Sequence, residues 1–463
     1  MSDTDTAEES GAELFGIDFR YDAVMVLALI LLVYGLYVVG GVIIGLPVRG
    51  MLNQIGRLTF WIAVFGMAAL ALNLHWGYTG LFNIGIVGFM AIGVYVTAIL
   101  SKPVFGSGTS AAEVGGLGLP LSVGIVGGMV AAGLFGLAAA LPALRLRADY
   151  LAIVTIALSE IVRFSLLSDT LSGADIGGYR LGLGGGDGII LDFVDPLEAL
   201  IKAVSLPLDL ILGREHVLWT DVYLGIIVDA AGAVIQPNPK PVVDNFAYAA
   251  VLLVVMGGIY ALLQRTGNSP FGRVLKAIRE DEDVTNALGK DTDMFKIKSF
   301  VVGTALMGLV GIVWFGTQGS VTPNTFRPRI TFYVWIALII GGAGSNTGSV
   351  MGGAVFAGFL FQGPRYFKNV VQTALGNPEA PNSFGAAMAP VSGGEILPFF
   401  LYTLDSIRQL QLFIMGVVLI VLMHNRPQGL LGDRKESASS IPLARPPSRG
   451  SDPVAADGGE SDE

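Results

Sequence analysis

The chain has 463 residues, of which 52% are hydrophobic and only 14% charged. Soluble domains carry about a quarter charged residues, so a water-soluble globular enzyme is excluded and the chain belongs in lipid. It has no cysteine, which removes disulfides and thiolate metal sites, and its three histidines, His75, His216 and His424, are too scattered to build a metal centre.

The net charge of −9 comes from the ends. Residues 1–22 hold seven acids against Arg20, and residues 433–463 hold seven acids against four bases, so the body 23–432 is neutral. Acidic ends with Gly, Ser and Pro read as disordered tails on either side of a membrane domain.

In chain order, residues 23–46, 80–100, 119–144, 245–263 and 299–326 contain no Asp, Glu, Lys or Arg. Each reaches or approaches the ~20 residues that cross a bilayer as a helix. The first follows an acidic segment without a basic n-region or a small-residue cleavage site, so it reads as a permanent span and not a signal peptide. Candidate spans are 23–46, 58–74, 80–100, 119–141, 150–168, 245–263, 299–317, a glycine-interrupted region 331–361, and 407–423. The fold class expected is an all-α polytopic membrane protein of about 8–10 transmembrane helices with glycine-interrupted segments.

Basic residues in short loops mark the cytoplasmic side. Four segments compete for it: Arg49 with Arg57, Arg145 with Arg147, the loop 264–298 with seven bases, and Arg426 to Lys435. The segment 169–244, with eleven acids against four bases, reads as an outer loop, as does 362–406. This arrangement puts the N-terminus outside and the C-terminus in the cytoplasm. It also exposes a conflict of parity: three candidate spans separate Arg57 from Arg145, where an even number is required. Trp61, Trp76, Trp314 and Trp335 fall near span ends and read as interfacial anchors.

Two stretches carry the interruptions. One includes Gly77, Tyr78, Thr79, Gly80, Asn83 and Gly85; the other includes Gly341, Gly342, Gly344, Ser345 and Asn346. Broken helices at membrane depth line watery cavities and mark substrate sites in transporters. Surface loops with glycine-mediated helix packing are the alternative. Glu160 and Arg163, three apart on one helical face, form an intramembrane ion pair that reads either as structural or as part of a pathway or gate.

In the loop 264–298, Pro270 suits the first turn of a helix and Gly289 its end. Between them Val274, Leu275 and Ile278 form an apolar stripe beside a charged face, the pattern either of a helix that docks into a groove or of one lying on its own membrane domain. No segment matches Gly-x-x-x-x-Gly-Lys-Ser/Thr, so the chain is not expected to hydrolyse ATP; nor is there a Gly-x-Ser-x-Gly or His-Glu-x-x-His motif.

Four motifs in order bear a family resemblance. Leu72-Asn73-Leu74 with Gly77-Tyr78-Thr79-Gly80 and Asn83-Ile84-Gly85, Asp149 to Thr155 with Glu160-Ile161-Val162-Arg163, Ser269 to Gly289, and Arg426-Pro427-Gln428-Gly429-Leu430 together resemble permease subunits of branched-chain amino acid ABC importers, the LivM-like group. The resemblance implies a heterodimer with a second permease subunit, two cytoplasmic ATPases, an external substrate-binding protein and a surround of membrane lipid, with no cofactor, metal or nucleic acid. It also implies that Arg273, Ala277, Ile278, Arg279, Glu280, Asp283, Ala287, Leu288 and Gly289 couple the ATPase to the membrane. A permease for urea or short amides in the same family and an ion-coupled secondary transporter remain the alternatives. The loops 169–244 and 362–406 exceed the family pattern, and the glycine-rich run 173–188 is a poor phosphate cradle because no helix clearly follows it.

Overall fold

The computed structural model describes residues 19–102, 114–143, 148–176, 179–191, 231–232 and 239–431. Residues 1–18 of the acidic N-terminal tail, the whole C-terminal tail, Arg145 with Arg147, Gly177 with Gly178, and most of 192–238 lie outside the described residues, whereas residues 19–22, expected as part of the disordered tail, begin the first helix.

Helix α1 (Phe19–Ile44) turns through Gly45, Leu46 and Pro47 into α2 (Val48–Asn73), which runs on as a π turn, Leu74–Tyr78. An irregular stretch leads to the short α3 (Ile86–Ser101), then to α4 (Leu121–Ala143) and α5 (Ala148–Leu167). Two small antiparallel ribbons follow, β1 (Ala174–Ile176) with β2 (Tyr179–Leu181) and β3 (Ile189–Ile190) with β4 (Ser320–Val321). Between β3 and β4 come α6 (Lys240–Asn268), the short α7 (Pro270–Glu280) and α8 (Glu282–Ala287), and α9 (Thr292–Phe315). The chain closes with α10 (Arg329–Gly341), α11 (Asn346–Val355) with a π turn Phe356–Phe361, α12 (Gly363–Ala374), α13 (Phe384–Met388), α14 (Leu397–Asp405) and α15 (Ile407–Asn425). Among the described residues, six helices are long and apolar enough to cross a membrane, and two further pairs qualify as bent units. The protein is an all-α, multi-pass membrane protein.

Helix α2 is the hub, since every residue from Ile62 to Asn73 is buried. It meets α11 backbone to backbone: a Cβ on Gly353 would lie 2.5 Å from the Gly66 nitrogen. Small residues permit this approach where lipid gives helices no hydrophobic reason to associate. An aromatic cluster of Trp61, Phe65, Trp314, Phe356 and Phe361 fills the space beside it. Trp314 and Trp335 are therefore buried, at 3% and 7% exposure, and are core residues and not the interfacial anchors expected from their place near span ends.

Contacts fix the direction of each helix. Helices α2 and α6 run parallel, with Asn245 bonding Asn53 near their starts (3.1 Å) and Tyr78 packed on Gly267 at their ends. Helix α9 runs against them: Ser299 at its start bonds Thr79 (2.7 Å), and Val313 near its finish accepts from the Tyr248 hydroxyl (2.5 Å). The short helices α7 and α8 thus define a lower end, and residues 44–56, 240–248 and 313–326 gather at the upper end.

Two expectations are corrected here. Helices α1 and α2 are antiparallel, with Tyr34 bonded to Thr59 (2.6 Å) and Met51 beside Gly41, so residue 19 starts at the lower end with α7 and α8. The N-terminal end of the described chain is therefore on the same side as the 264–298 loop and not opposite it. By the same geometry Arg49 and Arg57 lie at the upper end, inside the first turns of α2. Removing that pair from the lower side dissolves the parity conflict, because α2, the 79–101 passage and α4 then descend, rise and descend. A count of charges cannot distinguish a basic loop from two arginines on a helix.

Candidate functional site at the paired interruptions

The first interruption is a buried knot and not a surface loop. Asn83 ties it together: its Oδ1 accepts from Gly85 N (2.8 Å), its Nδ2 donates to His75 Nδ1 (3.2 Å), and its backbone carbonyl accepts from Trp335 Nε1 (3.0 Å). His75 Nε2 faces the Phe300 carbonyl at 3.1 Å. A carbonyl only accepts, so Nε2 carries the hydrogen and Nδ1 is the acceptor for Asn83. Thr155 of α5 accepts from Ile84 N (3.0 Å). Non-helical backbone at this depth persists because its polar groups find such partners.

The second interruption meets the first. Gly342 (φ +106) and Gly344 (φ +93) reverse the chain between α10 and α11, which are bent by 118°. Asn73 joins the two, accepting from Gly344 N (2.8 Å) and donating to Asn346 Oδ1 (3.1 Å), and Asn346 in turn donates to Gln264 at the end of α6 (3.1 Å). Ser345 caps α11 by accepting from Gly348 N (3.0 Å). The tail of the described chain closes the junction, with Leu430 N and Leu431 N bonded to the Ile340 and Gly341 carbonyls (2.9 and 2.8 Å).

Of the residues expected to line a pathway, Gly77, Tyr78, Thr79, Asn83, Gly85, Gly341, Gly342 and Asn346 are buried in this junction, while Gly80, Gly344 and Ser345 are half-buried. The cavity beside them, about 590 Å³, is lined instead by their neighbours Trp76, Phe82, Ile84 and Ala343, with Trp335 and Gln428. Phe82 and Ile84 are half-buried and line the cavity, while Asn83 and Gly85 between and after them are buried in the core.

The loop expected as one helix ending at Gly289 is two. Ser269 caps α7, accepting from Gly272 N (3.2 Å), with Pro270 in the first turn. Asp281 then breaks the helix at φ −158 and caps α8 through Val284 N (3.0 Å). An aspartate offers the backbone a local alternative to continuing the helix. Glu282 anchors α8 to Lys296 of α9 (2.5 Å), and Gly289 takes the left-handed φ of +77 in the turn that follows.

This division sorts the residues expected to couple. Leu275 (0% exposed) and Ile278 (5%) pack on the protein's own membrane domain, so the apolar stripe is spent internally. Arg273, Ala277, Glu280, Asp283, Ala287, Leu288 and Gly289 face outward, joined by Val284, which charge and spacing had not singled out. Val284 is 55% and Leu288 75% exposed. Arg279 turns inward, and its Nη1 donates to the Gly77 carbonyl within the first interruption.

The Glu160–Arg163 pair (2.5 Å) lies elsewhere, at the upper end of α5, where Arg163 also bonds Asn324 (3.2 Å) and lies over the Phe164 ring. Neither residue lines the cavity. Of the glycine-rich run 173–188, the described glycines from Gly182 to Gly188 sit at the same end, with Gly188 against Val321 of the β3–β4 ribbon.

Residues 54–423, which include α7, α8 and both interruptions, match the family of branched-chain amino acid transport system permease components. The chain belongs to that family. It is similar to the high-affinity branched-chain amino acid transport system permease protein LivM of Escherichia coli K12, with 31% identity over 300 residues, 64% of this chain and 60% of the relative. A probable branched-chain amino acid transport permease protein LivM of Methanocaldococcus jannaschii is 25% identical over 421 residues, 86% of this chain and 96% of the relative. The match thus spans 60% of the E. coli relative's length and nearly all of the archaeal one's. No solved structure matches. Family membership makes this a permease component and not an enzyme.

Proposed function

We propose that this protein is the membrane-spanning subunit of an ATP-driven importer and forms the translocation pathway for branched-chain or other neutral amino acids. The observation that carries the reading is the contact of Arg279 with the Gly77 carbonyl. Through it, a helix with an outward docking surface touches the interruption whose next residues, Phe82 and Ile84, line the cavity. In this reading the lower end is cytoplasmic, and two ATPase subunits seat against Val284, Leu288 and the charged residues around them. A second permease subunit completes the cavity wall, and an external binding protein delivers substrate to the upper end.

The lining favours an aliphatic side chain over urea or a short amide. A small polar solute leaving water needs hydrogen-bond partners, and Gln428 is the only amide side chain among the lining residues. The test is uptake into proteoliposomes holding this chain, a second permease and the ATPases, with the binding protein outside. ATP-dependent uptake of leucine is expected. Uptake that an ionophore abolishes and vanadate leaves intact rejects the importer, and ATP-driven uptake of urea in preference to leucine rejects the substrate.

A further inference from the structure

A second pocket, of about 400 Å³, lies at the upper end between α12 and the corner where α14 meets α15. Its construction starts with Pro364. Proline has no N–H, and Gln411 Nε2 donates instead to the Leu360 carbonyl (2.8 Å) and to that of Phe361 (3.1 Å). This side-chain bridge holds the start of α15 against the π turn that leads into α12, beside a recess lined by Arg365, Lys368, Asn369, Asp405 and Gln409 with Phe361 and Ile407.

The charges in it do not cancel. Asp405 is already engaged by Lys368 at 2.6 Å, while among the described residues Arg365 has no carboxylate partner. The recess therefore offers a free guanidinium, two amides and no free carboxylate, a set that fits an anion and not a zwitterion. A guanidinium binds the oxygens of a phosphate through paired, charge-assisted hydrogen bonds.

Its surroundings indicate what carries the anion. Helix α14 is bent by 87° from α15, so it lies across the bundle axis at the upper end. It exposes Leu397 and Phe400 there, with Ile396 just before its first turn, and Phe367 of α12 is 56% exposed on the other side of that helix from Arg365. A cationic recess at the end of a spanning bundle, with exposed apolar side chains on the helices that form it, sits where headgroups meet acyl chains.

We propose that this recess binds the phosphate of an anionic phospholipid headgroup. The proposal rests on membrane residence alone and stands or falls independently of the transport reading. To test it, the full-length chain is exchanged into nanodiscs of phosphatidylcholine with a minor fraction of phosphatidylglycerol, extracted gently, and its retained lipid counted by mass spectrometry. The wild type is expected to retain phosphatidylglycerol, Arg365→Gln to retain about tenfold less, and Arg365→Lys to fall between, all three with the same melting temperature. Equal retention in wild type and Arg365→Gln overturns the proposal. So does release of the lipid by leucine, which would make the recess an amino acid site, or binding of inorganic phosphate to the detergent-extracted protein with the same Arg365 dependence and no lipid retention.

Discussion

Arg279 donates to the carbonyl of Gly77, a group that the chain's own helix leaves open. In an α-helix Gly77 O would accept from Leu81 N, but past the π turn Leu81 N bonds His75 O (2.8 Å) and Gly80 N bonds Trp76 O (3.1 Å). The interruption frees one carbonyl, and the cytoplasm-facing helix of the proposed importer takes it. Arg279→Gln shortens the side chain and removes the charge. A hydrogen bond to a charged group contributes roughly 1.5–3 kcal/mol, so ATP-driven uptake is expected to fall about tenfold or more while co-purification with the ATPases is retained. Unchanged uptake would remove the contact from the coupling route.

The outer face of α8 gives the complementary result. Val284→Asp with Leu288→Asp places charge on side chains that are 55% and 75% exposed. Exposed substitutions shift stability by about 0.5 kcal/mol or less, so the melting temperature should hold while ATPase co-purification is lost.

Gly77 tests the junction itself. A Cβ there would lie 1.9 Å from Asn73 Oδ1 and 2.5 Å from Gly344 N, whereas Gly35 has nothing within 4 Å. Gly77→Ala should destabilise by more than about 2 kcal/mol, as overpacking of a tight core does. Gly35→Ala should be neutral or stabilising by up to about 1 kcal/mol through helix propensity. Thermal unfolding in detergent reads both.

Adjacent residues in the irregular stretch before α3 should separate fold from selectivity. Asn83→Ala strands the Gly85 N–H and the His75 ring nitrogen, at about 1–3 kcal/mol for each unsatisfied buried group, and should lower the melting temperature. Ile84→Trp should leave it nearly unchanged, fill part of the cavity, and reduce uptake of leucine more than uptake of alanine. A uniform loss across amino acids would place the selectivity elsewhere.

Glu160→Gln should leave uptake close to wild type, because the Glu160–Arg163 pair ties α5 to the upper turn at Asn324 and lines no cavity. Uptake reduced tenfold in a normally inserted variant would restore a gating role.

Much of this architecture was legible in the sequence. Uncharged runs located the spans because a bilayer admits little else, and Pro270 marked the start of α7 through a constraint that is local. Sidedness was not legible: the basic bias treated Arg49 and Arg57 as a loop, and only the packing of α2 alongside α6 places them at the upper end. The break at Asp281 was also missed, because a capping aspartate and a solvated one look alike until the backbone turns. In the candidate site the glycines mark the junction, but which residues face the cavity follows from the irregular path of 82–85, and that path is held by Thr155 and Trp335, far away in sequence.

The π turn at Leu74–Tyr78 has an outcome that depends on length alone. Such a turn contains one residue more than the α-helix it interrupts, and each helical residue advances the chain by about 100°. Deleting a single residue from it would re-aim everything that follows, drawing the Asn83 carbonyl off Trp335 and Ile84 N off Thr155 and changing which side chains face the cavity. The chemical character of the cavity wall is thus set by chain phase as much as by side-chain identity, and a one-residue deletion here would cost more than any single substitution in the lining.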